Sequence, residues 1–266
     1  MEEHNTEFAD QKSADKNSAS GLARYYFNTL LALTGLTFLF FWLSGYGYNW
    51  GIWSLSTAMG MLRITAYMMM IFGGIALFSL FFAIRSKQQG RHVSFMMMAI
   101  IMGLITTSVA LYWNHQAQNN PFIHDATTDT ENPPQFDAIV PLRADAPNPH
   151  EYQGEEVAQR QREGFPELIT IYLPYPKDRV YDEAISIIGA RGWDLVSGNH
   201  ETGIIEATET LPWFGFKDDV VIRLRSDNGR TVFDMRSKSR IGGTDLGVNA
   251  NRIIDFTEEL KHQLRN

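Results

Sequence analysis

Residues 25–45 read YYFNTLLALTGLTFLFFWLSG, a stretch without a single charged side chain. About twenty apolar residues, each rising about 1.5 Å along a helix, span a hydrocarbon core of about 30 Å. Two further uncharged stretches of the same length follow, at about 64–84 and 93–113. The sequence therefore predicts three transmembrane helices within residues 23–113. The alternative is that these runs are the buried helices of a soluble protein.

The basic residues between the apolar runs predict how the helices are oriented. Arg85, Lys87 and Arg91 lie between the second and third runs, whereas the loop after the first run has no Lys or Arg until Arg63. Short loops rich in Lys and Arg stay on the cytoplasmic side. The prediction is a multi-pass protein with a cytoplasmic N-terminus and everything after Trp113 on the far side. In a bacterium with two membranes, this places it in the cell inner membrane with a periplasmic C-terminal half.

The composition on either side of the helices divides the rest of the chain. Residues 1–22 are polar, with a net negative charge and hardly any large apolar residue, which predicts a disordered cytoplasmic tail. Residues 114–164 contain six prolines, which predicts an extended connector. A net charge of −7 argues against a nucleic-acid partner. The chain has no cysteine, which excludes disulfides, thiolate metal sites and a cysteine nucleophile.

Methionine triplets and small residues are the notable features inside the apolar runs. Thioethers favour Cu(I), but the three methionines at 68–70, like those at 96–98, point around a helix and cannot converge on one ion. They are interpreted as adaptable apolar packing. Gly73 and Gly103 are predicted to let two helices approach closely.

Residues 165–266 predict one soluble α+β domain. Apolar residues at helical spacing predict helices over Lys177–Arg191 and Asn249–Arg265. Short alternating runs predict four strands, Trp193–Gly198, Ile204–Thr210, Val220–Arg225 and Thr231–Arg236. Another short β-like run, Leu168–Leu173, precedes them. Asn228-Gly229 predicts a two-residue hairpin turn. The expected fold has two layers, a four-stranded antiparallel sheet with both helices on one face.

Three segments resemble a known family. They are IHDATTDTENPPQF (123–136), GIIEATETLPWFGFKDDVVIRLR (203–225) and FDMRSKSRIGGTDLGVNANRI (233–253). In this order they are similar to the signature segments of domain of unknown function 1499, over roughly the second half of the chain. The resemblance implies a bacterial, membrane-anchored protein with this domain. It brings no established catalytic residue.

One polar cluster near the C-terminus is a candidate anion site. Its members are Arg236, Ser237, Ser239, Arg240 and Arg252, beside Gly242-Gly243. Guanidinium groups next to a glycine-rich turn at a helix start could bind a phosphate or carboxylate, such as an anionic lipid headgroup or an envelope glycan. The alternative is a structural network in which the arginines pair with acidic residues. Those residues are Asp218, Asp219, Asp234 and Asp245.

A second set of polar residues could be imagined as catalytic. It comprises His124, Asp125, Glu206, Asp218, Asp219 and Asp245. His124-Asp125 supplies only two adjacent groups where a metal needs three or four converging ligands, so we predict no metal and no cofactor. Asp218 and Asp219 are adjacent on a strand and point to opposite faces. Asp245, with Asn249, is equally compatible with a turn and a helix cap.

Two functions of different class follow from these residues. The favoured one is a non-enzymatic, membrane-tethered binding or assembly module whose partner is an anionic envelope component or another membrane protein. The rival is an envelope hydrolase or transferase that uses His124, Glu206 or Asp218 as acid–base groups. Arg236, Arg240 and Arg252 lining an open pocket would favour ligand binding. Convergence of His124, Glu206 and Asp218 in a cleft would favour catalysis. If all six are paired with one another and buried, both sites are excluded and a scaffold role remains.

Overall fold

The computed structural model describes residues 2–85 and 91–266, with side chains from Gly21 to Arg85 and from His92 onward. It divides into two units, Met1–Tyr112 and Trp113–Asn266. The tail predicted for residues 1–22 lies, up to residue 20, outside the residues described with side chains. Lys87 also lies outside the described residues, so the orientation stays a prediction.

Three long helices are apolar enough to cross a membrane; the first unit contains the first two and the third as far as Tyr112. They are α1 (Glu2–Asn49), α2 (Leu55–Arg85) and α3 (Arg91–Asn119). Each covers one of the apolar runs, so the prediction of three membrane helices is confirmed. Their large apolar side chains are mostly exposed, as expected of surfaces that face lipid.

Small residues bring α2 and α3 together as predicted. A Cβ atom added to Gly103 would lie 3.1 Å from the Cα atom of Gly73, which no side chain could tolerate without a shift. The methionine triplets also point around their helices: Met69 and Met96 are fully buried, whereas Met68 and Met97 are exposed.

The second unit is an antiparallel α+β domain. Its strands are β1 (Asp125–Thr127), β2 (Ile171–Leu173), β3 (Asp194–Asn199), β4 (Ile204–Thr210), β5 (Lys217–Asp227) and β6 (Arg230–Ser239). Its helices are a 3₁₀ helix (Val140–Arg143), α4 (Glu155–Gly164), α5 (Lys177–Ala190) and α6 (Val248–Arg265). The strand order is β1-β6-β5-β4-β3, and β2 also pairs with β6.

The predicted strand number of four is wrong, because the sheet has six strands. The extra strands β1 and β2 have three residues each and pair one after the other along the same edge of β6. Three residues are too few to show an alternating pattern, so β1 could not be predicted from periodicity. The connector predicted at 114–164 therefore contributes a strand to the sheet.

The remaining elements follow their sequence signals. Both predicted helices and the hairpin between β5 and β6 are confirmed. Asn228 and Gly229 have φ values of 49° and 81°, as this turn requires. The predicted alternation of β5 is also confirmed: Val220, Ile222 and Leu224 pack in the main apolar core with α5 and α6.

Candidate functional site

The sheet face opposite α5 and α6 is polar, and it collects most of the charged residues singled out above. Register places side chains from three central strands on this face: Glu206, Thr208, Asp219, Val221, Arg223, Asp234, Arg236 and Lys238. The connector covers this face, because Phe136 and Ile139 pack against Val221. We call the eight residues that register places on this face, together with Asp125, Arg143 and Arg240, the polar face. Its chemistry is that of buried charges.

Asp125 is the centre of the first ion-pair group. The Arg236 side chain donates through Nε to Asp125 Oδ1 (2.9 Å) and through Nη2 to Oδ2 (2.8 Å), a bidentate pair. Lys238 Nζ donates to the same Oδ2 at 3.0 Å. All three side chains are fully buried. One carboxylate therefore serves as the shared counter-ion of two buried cations.

Neutral groups complete the surroundings of these two cations. Arg236 also donates to the backbone oxygens of Pro134 and His150, and its guanidinium lies 4.8 Å from the Phe136 ring centre. Lys238 donates to the backbone oxygen of Glu151 at 2.6 Å. Burial lowers the pKa of Lys238, and the negative charge of Asp125 offsets part of this lowering. These bonds tie the connector to β6.

Asp219 is the centre of a second group. Arg240 donates Nε and Nη2 to its two oxygens, both at 2.8 Å, and Arg143 Nη1 donates to Oδ2 at 2.6 Å. Thr208 Oγ1 donates to Oδ1 at 2.6 Å. Arg143 comes from the 3₁₀ helix, so this carboxylate also fixes the connector to the sheet.

Asp234 repeats the arrangement at the other end of the polar face. Its Oδ2 accepts hydrogen bonds from Arg223 and Arg225 at 2.9 and 2.8 Å. Its Oδ1 accepts one from Thr170 Oγ1 at 2.6 Å. Arg223 also pairs with Asp129 of the connector at 3.0 Å.

Glu206 is bound by backbone amides rather than by a cation. Its carboxylate accepts hydrogen bonds from the N–H groups of Asp137, Ala138 and Ile139, at 3.1, 3.0 and 2.9 Å. The side chain is 1% exposed. Three backbone donors therefore occupy most of the hydrogen-bonding capacity of this carboxylate and fix its position.

The helix side of the sheet holds a separate polar group. Arg252 of α6 donates to Asp218 at 2.6 Å, to Glu209 at 2.5 Å and to Ser237 at 2.9 Å. Asn249 links the serines of β6: it accepts from Ser237 and donates to Ser239.

Asp245 lies just before α6 and binds backbone N–H groups at its start. Its Oδ1 accepts from the N–H of Gly247 and its Oδ2 from the N–H of Asn249, at 2.9 and 3.2 Å. Burial raises the pKa of Asp245 to about 6. No arginine is needed to explain its position.

His124 is buried at the start of β1. Its Nδ1 atom lies 3.4 Å from the backbone oxygen of Gly243, and its Nε2 atom has no hydrogen-bond partner among the described residues. Burial lowers the pKa of His124 below its ordinary value of 6.5. Among the residues described with side chains, no three His, Asp or Glu side chains could hold a metal ion together.

The predicted sets are thus distributed over both sides of the sheet. Of the candidate anion cluster, Arg236 and Arg240 belong to the polar face, whereas Ser237, Ser239 and Arg252 lie on the helix side. Of the second set, Asp125, Glu206 and Asp219 belong to the polar face, and Asp218 and Asp245 lie with α6. The arginines do pair with carboxylates, but Arg236 takes Asp125 rather than a residue of the last strands.

The sequence reasoning missed Lys238, Arg143 and Arg223 as members of this network. A signal for Lys238 existed, because charged residues alternate along FDMRSKSR at 234, 236, 238 and 240. A two-residue period of charge on a strand predicts one continuous charged face. Arg143 lies in a four-residue 3₁₀ helix, too short to show a periodic pattern, and had no such signal.

Fold and site together define a membrane-anchored α+β domain with a buried ion-pair network under an ordered connector. The chain belongs to the family described as "Protein of unknown function (DUF1499)", whose pattern matches residues 125–260. The match begins at Asp125 and so includes the whole polar face and the connector from that residue onward. A comparison with curated proteins found none that matches this chain.

Proposed function

We propose that this chain is a membrane-tethered binding or assembly module of the bacterial cell inner membrane. Its three helices act as the anchor, and its soluble domain, on the periplasmic side, contacts an envelope component or another membrane protein. The basic residues Arg85, Lys87 and Arg91 between the second and third helices support this orientation.

One observation carries the proposal: the charges that could have formed a reactive or ligand-binding site are engaged inside the domain. Asp125, Asp219 and Asp234 each pair with two arginine or lysine side chains. A carboxylate held in this way stabilises the fold and has little capacity for proton transfer. The network is therefore a frame that fixes the connector, and binding is proposed for the exposed surface of the domain.

The geometry gives less support to the rival hydrolase or transferase. Glu206 and Asp218 lie on opposite sides of the sheet; Glu206 is hydrogen-bonded to three backbone amides, and Asp218 is paired with Arg252. The anion-binding version of the module is also less favoured. Arg240, the most accessible arginine of that cluster, has a side chain only 16% exposed and already holds both oxygens of Asp219.

Photo-cross-linking of the full-length chain in native membranes tests the binding function. Photoreactive residues would replace Tyr172 and Leu195, two exposed apolar side chains of the domain, and, as a control, Leu104 on the lipid-facing surface of α3. We expect one defined partner, captured from the domain positions and not from position 104, that captures this chain in return when it is itself tagged. Turnover of an envelope glycan or lipid by the purified chain, abolished by Glu206→Gln, would contradict the proposal.

A pair of C-terminal reporters tests the orientation independently. A phosphatase that matures only outside the cytoplasm, fused after Asn266, should be active, and a fluorescent protein that matures only in the cytoplasm should be dark. The reverse pattern would overturn the periplasmic placement while leaving the binding function open to its own test.

A further inference from the structure

One end of the soluble domain gathers aromatic residues close to where α3 leads into the sheet. Register fixes which parts of the strands meet there: Thr210 pairs with Lys217, Asp218 with Ser239, and Asp125 with Lys238. The end of β4, the start of β5, the end of β6 and the start of β1 are therefore at the same end of the sheet. The opposite end carries the hairpin turn Asn228-Gly229.

The residues just after α3 are hydrogen-bonded to this end of the sheet. Asn120 Nδ2 donates to the backbone oxygen of Leu246 at 3.0 Å, and the N–H of Asp245 donates to the oxygen of Ile123 at 2.9 Å. The ring of Phe122 packs on Gly243, where an added Cβ would lie 2.9 Å from the ring. The backbone that continues α3 is thus hydrogen-bonded to the loop between β6 and α6.

The aromatic residues come from that junction and from the turn between β4 and β5. Phe122 is 64% exposed. The turn reads LPWFGF (211–216) and is closed by two backbone bonds between Leu211 and the Gly215-Phe216 pair, each 2.8 Å long. Within it, Trp213 and Phe216 are half-buried around Phe214, with ring centres 5.0 and 5.1 Å from the Phe214 ring. We call Phe122, Trp213 and Phe216 the aromatic end.

The tether to this end is short. The uncharged run of the third helix closes with Trp113, and only residues 114–119 separate it from the end of α3. Six helical residues extend about 9 Å. Amphipathic aromatic side chains concentrate at the interface of a bilayer, where an apolar surface settles about 5–10 Å into the headgroup region.

We propose that the aromatic end is a second membrane contact of this protein, in which Phe122, Trp213 and Phe216 insert into the interface of the bilayer that holds the anchor. Lys217, exposed directly after the turn, lies at the level of the headgroup phosphates. Such a contact sets the orientation of the domain above the membrane. It directs the end with the Asn228-Gly229 hairpin away from the lipid. This inference rests on the fold and the anchor, and holds whether or not the binding function does.

Single-cysteine labelling tests the contact, because the chain has no cysteine of its own. The full-length chains Pro212→Cys and Asn228→Cys, both at exposed positions, carry an environment-sensitive fluorophore in phosphatidylcholine nanodiscs. Phosphatidylcholine bearing a nitroxide high on its acyl chain is the quencher. We expect several-fold stronger lipid quenching at position 212 than at position 228, and weaker quenching at 212 when Phe122→Ser is added.

Two results would overturn the proposal. One is a label at position 212 that the nitroxide lipid quenches no more than the label at 228. The other is a label at 212 that is shielded from aqueous iodide but out of reach of the nitroxide lipid, because a protein surface would then cover this end. Unchanged hydrogen exchange in β5 and β6 serves as the check that each labelled chain is folded.

Discussion

The two faces of the sheet are both buried, yet they are stabilised by different physics. On one face Val220, Ile222, Leu224 and Phe233 pack against α5 and α6 in a continuous apolar core. On the other, the connector lies over a layer of carboxylates and cations. The apolar face draws its stability from area removed from water, which depends little on which apolar residues are chosen. The polar face depends on each charge finding its particular partner.

This difference decides how each face responds to a substitution. A buried ion pair contributes little by comparison with well-packed apolar residues, but removal of one partner leaves an uncompensated buried charge. Each carboxylate of the polar face serves two or more donors, so its loss leaves two or more groups unpaired. The polar face should therefore be the more brittle of the two, and we expect its chief role to be holding the connector in one position.

Asp125→Ala is the strongest test of that brittleness. Arg236 and Lys238 would both lose their counter-ion while remaining fully buried, which we expect to lower the free energy of unfolding by about 5 kcal/mol. Pulse proteolysis of the full-length chain in urea and detergent micelles measures this. Asp227→Asn, which removes a charge from an exposed pair with Arg230, is the matched control and should cost about 0.5 kcal/mol or less.

A triple variant separates lost charge balance from lost shape. Asp125→Leu combined with Arg236→Met and Lys238→Met removes every charge of the group at once, and it should regain most of the stability lost in Asp125→Ala. If Asp125→Ala costs no more than Asp227→Asn, the polar face is not brittle and the comparison of the faces fails.

Phe256→Ala probes the apolar face in the same assay. The Phe256 ring is fully buried and stacks between Trp193 and Phe233, with centres 5.7 and 6.3 Å away. Truncation should cost about 4 kcal/mol through lost burial and the cavity left behind. Tyr172→Ala, at an exposed position of β2, is the control and should fall within about 0.5 kcal/mol of the parent. A cost above that of Asp125→Ala would reverse the ranking of the faces.

The apolar face could be predicted from the sequence because its signal is local. The alternation in β5 and the helical spacing of Val180, Ala184, Ile187 and Ile188 each identify the buried side of one element. The hairpin at Asn228-Gly229 has an equally local cause in its positive φ angles. These local signals together identify which side of the sheet the helices cover.

The polar face could be predicted only in part because its partners are far apart in sequence. Asp125 and Arg236 are separated by 111 positions, and no spacing rule connects them. Asp125 also lies in a strand of only three residues, so its own strand had no periodic signal, although its partner Arg236 belongs to the alternating charges of β6. The acidic residues nearest in sequence, such as Asp234, were the natural but incorrect choice for Arg236. The membrane helices posed no such problem, because composition alone identifies them.

Glu206→Gln gives an intermediate and spatially confined effect. A glutamine would keep one acceptor oxygen but turn its amide group toward backbone N–H groups, so at least one donor among Asp137, Ala138 and Ile139 would lose its partner. We expect a cost of about 2 kcal/mol. Hydrogen exchange should speed up at amides 137–139 while the β5–β6 amides change less. The control Glu258→Gln, on the exposed side of α6, should leave the free energy of unfolding and the exchange rates unchanged. Uniformly faster exchange throughout the sheet would show that Glu206 does not act locally.

The smallest expected effect on the free energy of unfolding comes from His124, and it depends on pH. Burial lowers its pKa in the folded state below the ordinary 6.5, so the unfolded chain binds the proton more tightly. Stability is then lost as the pH falls below about 6.5, with a slope under about 1.4 kcal/mol per pH unit.

His124→Phe should remove this loss, so the free energies of unfolding of parent and variant should diverge as the pH is lowered from 7 to 5. Asp245 acts in the opposite direction, because its raised pKa of about 6 makes the folded state take up a proton as the pH falls. It is present in both chains, so their difference isolates His124. Asp245→Asn should make the acid loss of the parent steeper. Parallel curves for parent and His124→Phe would mean that the buried imidazole accepts its proton as readily in the folded chain as in the unfolded chain.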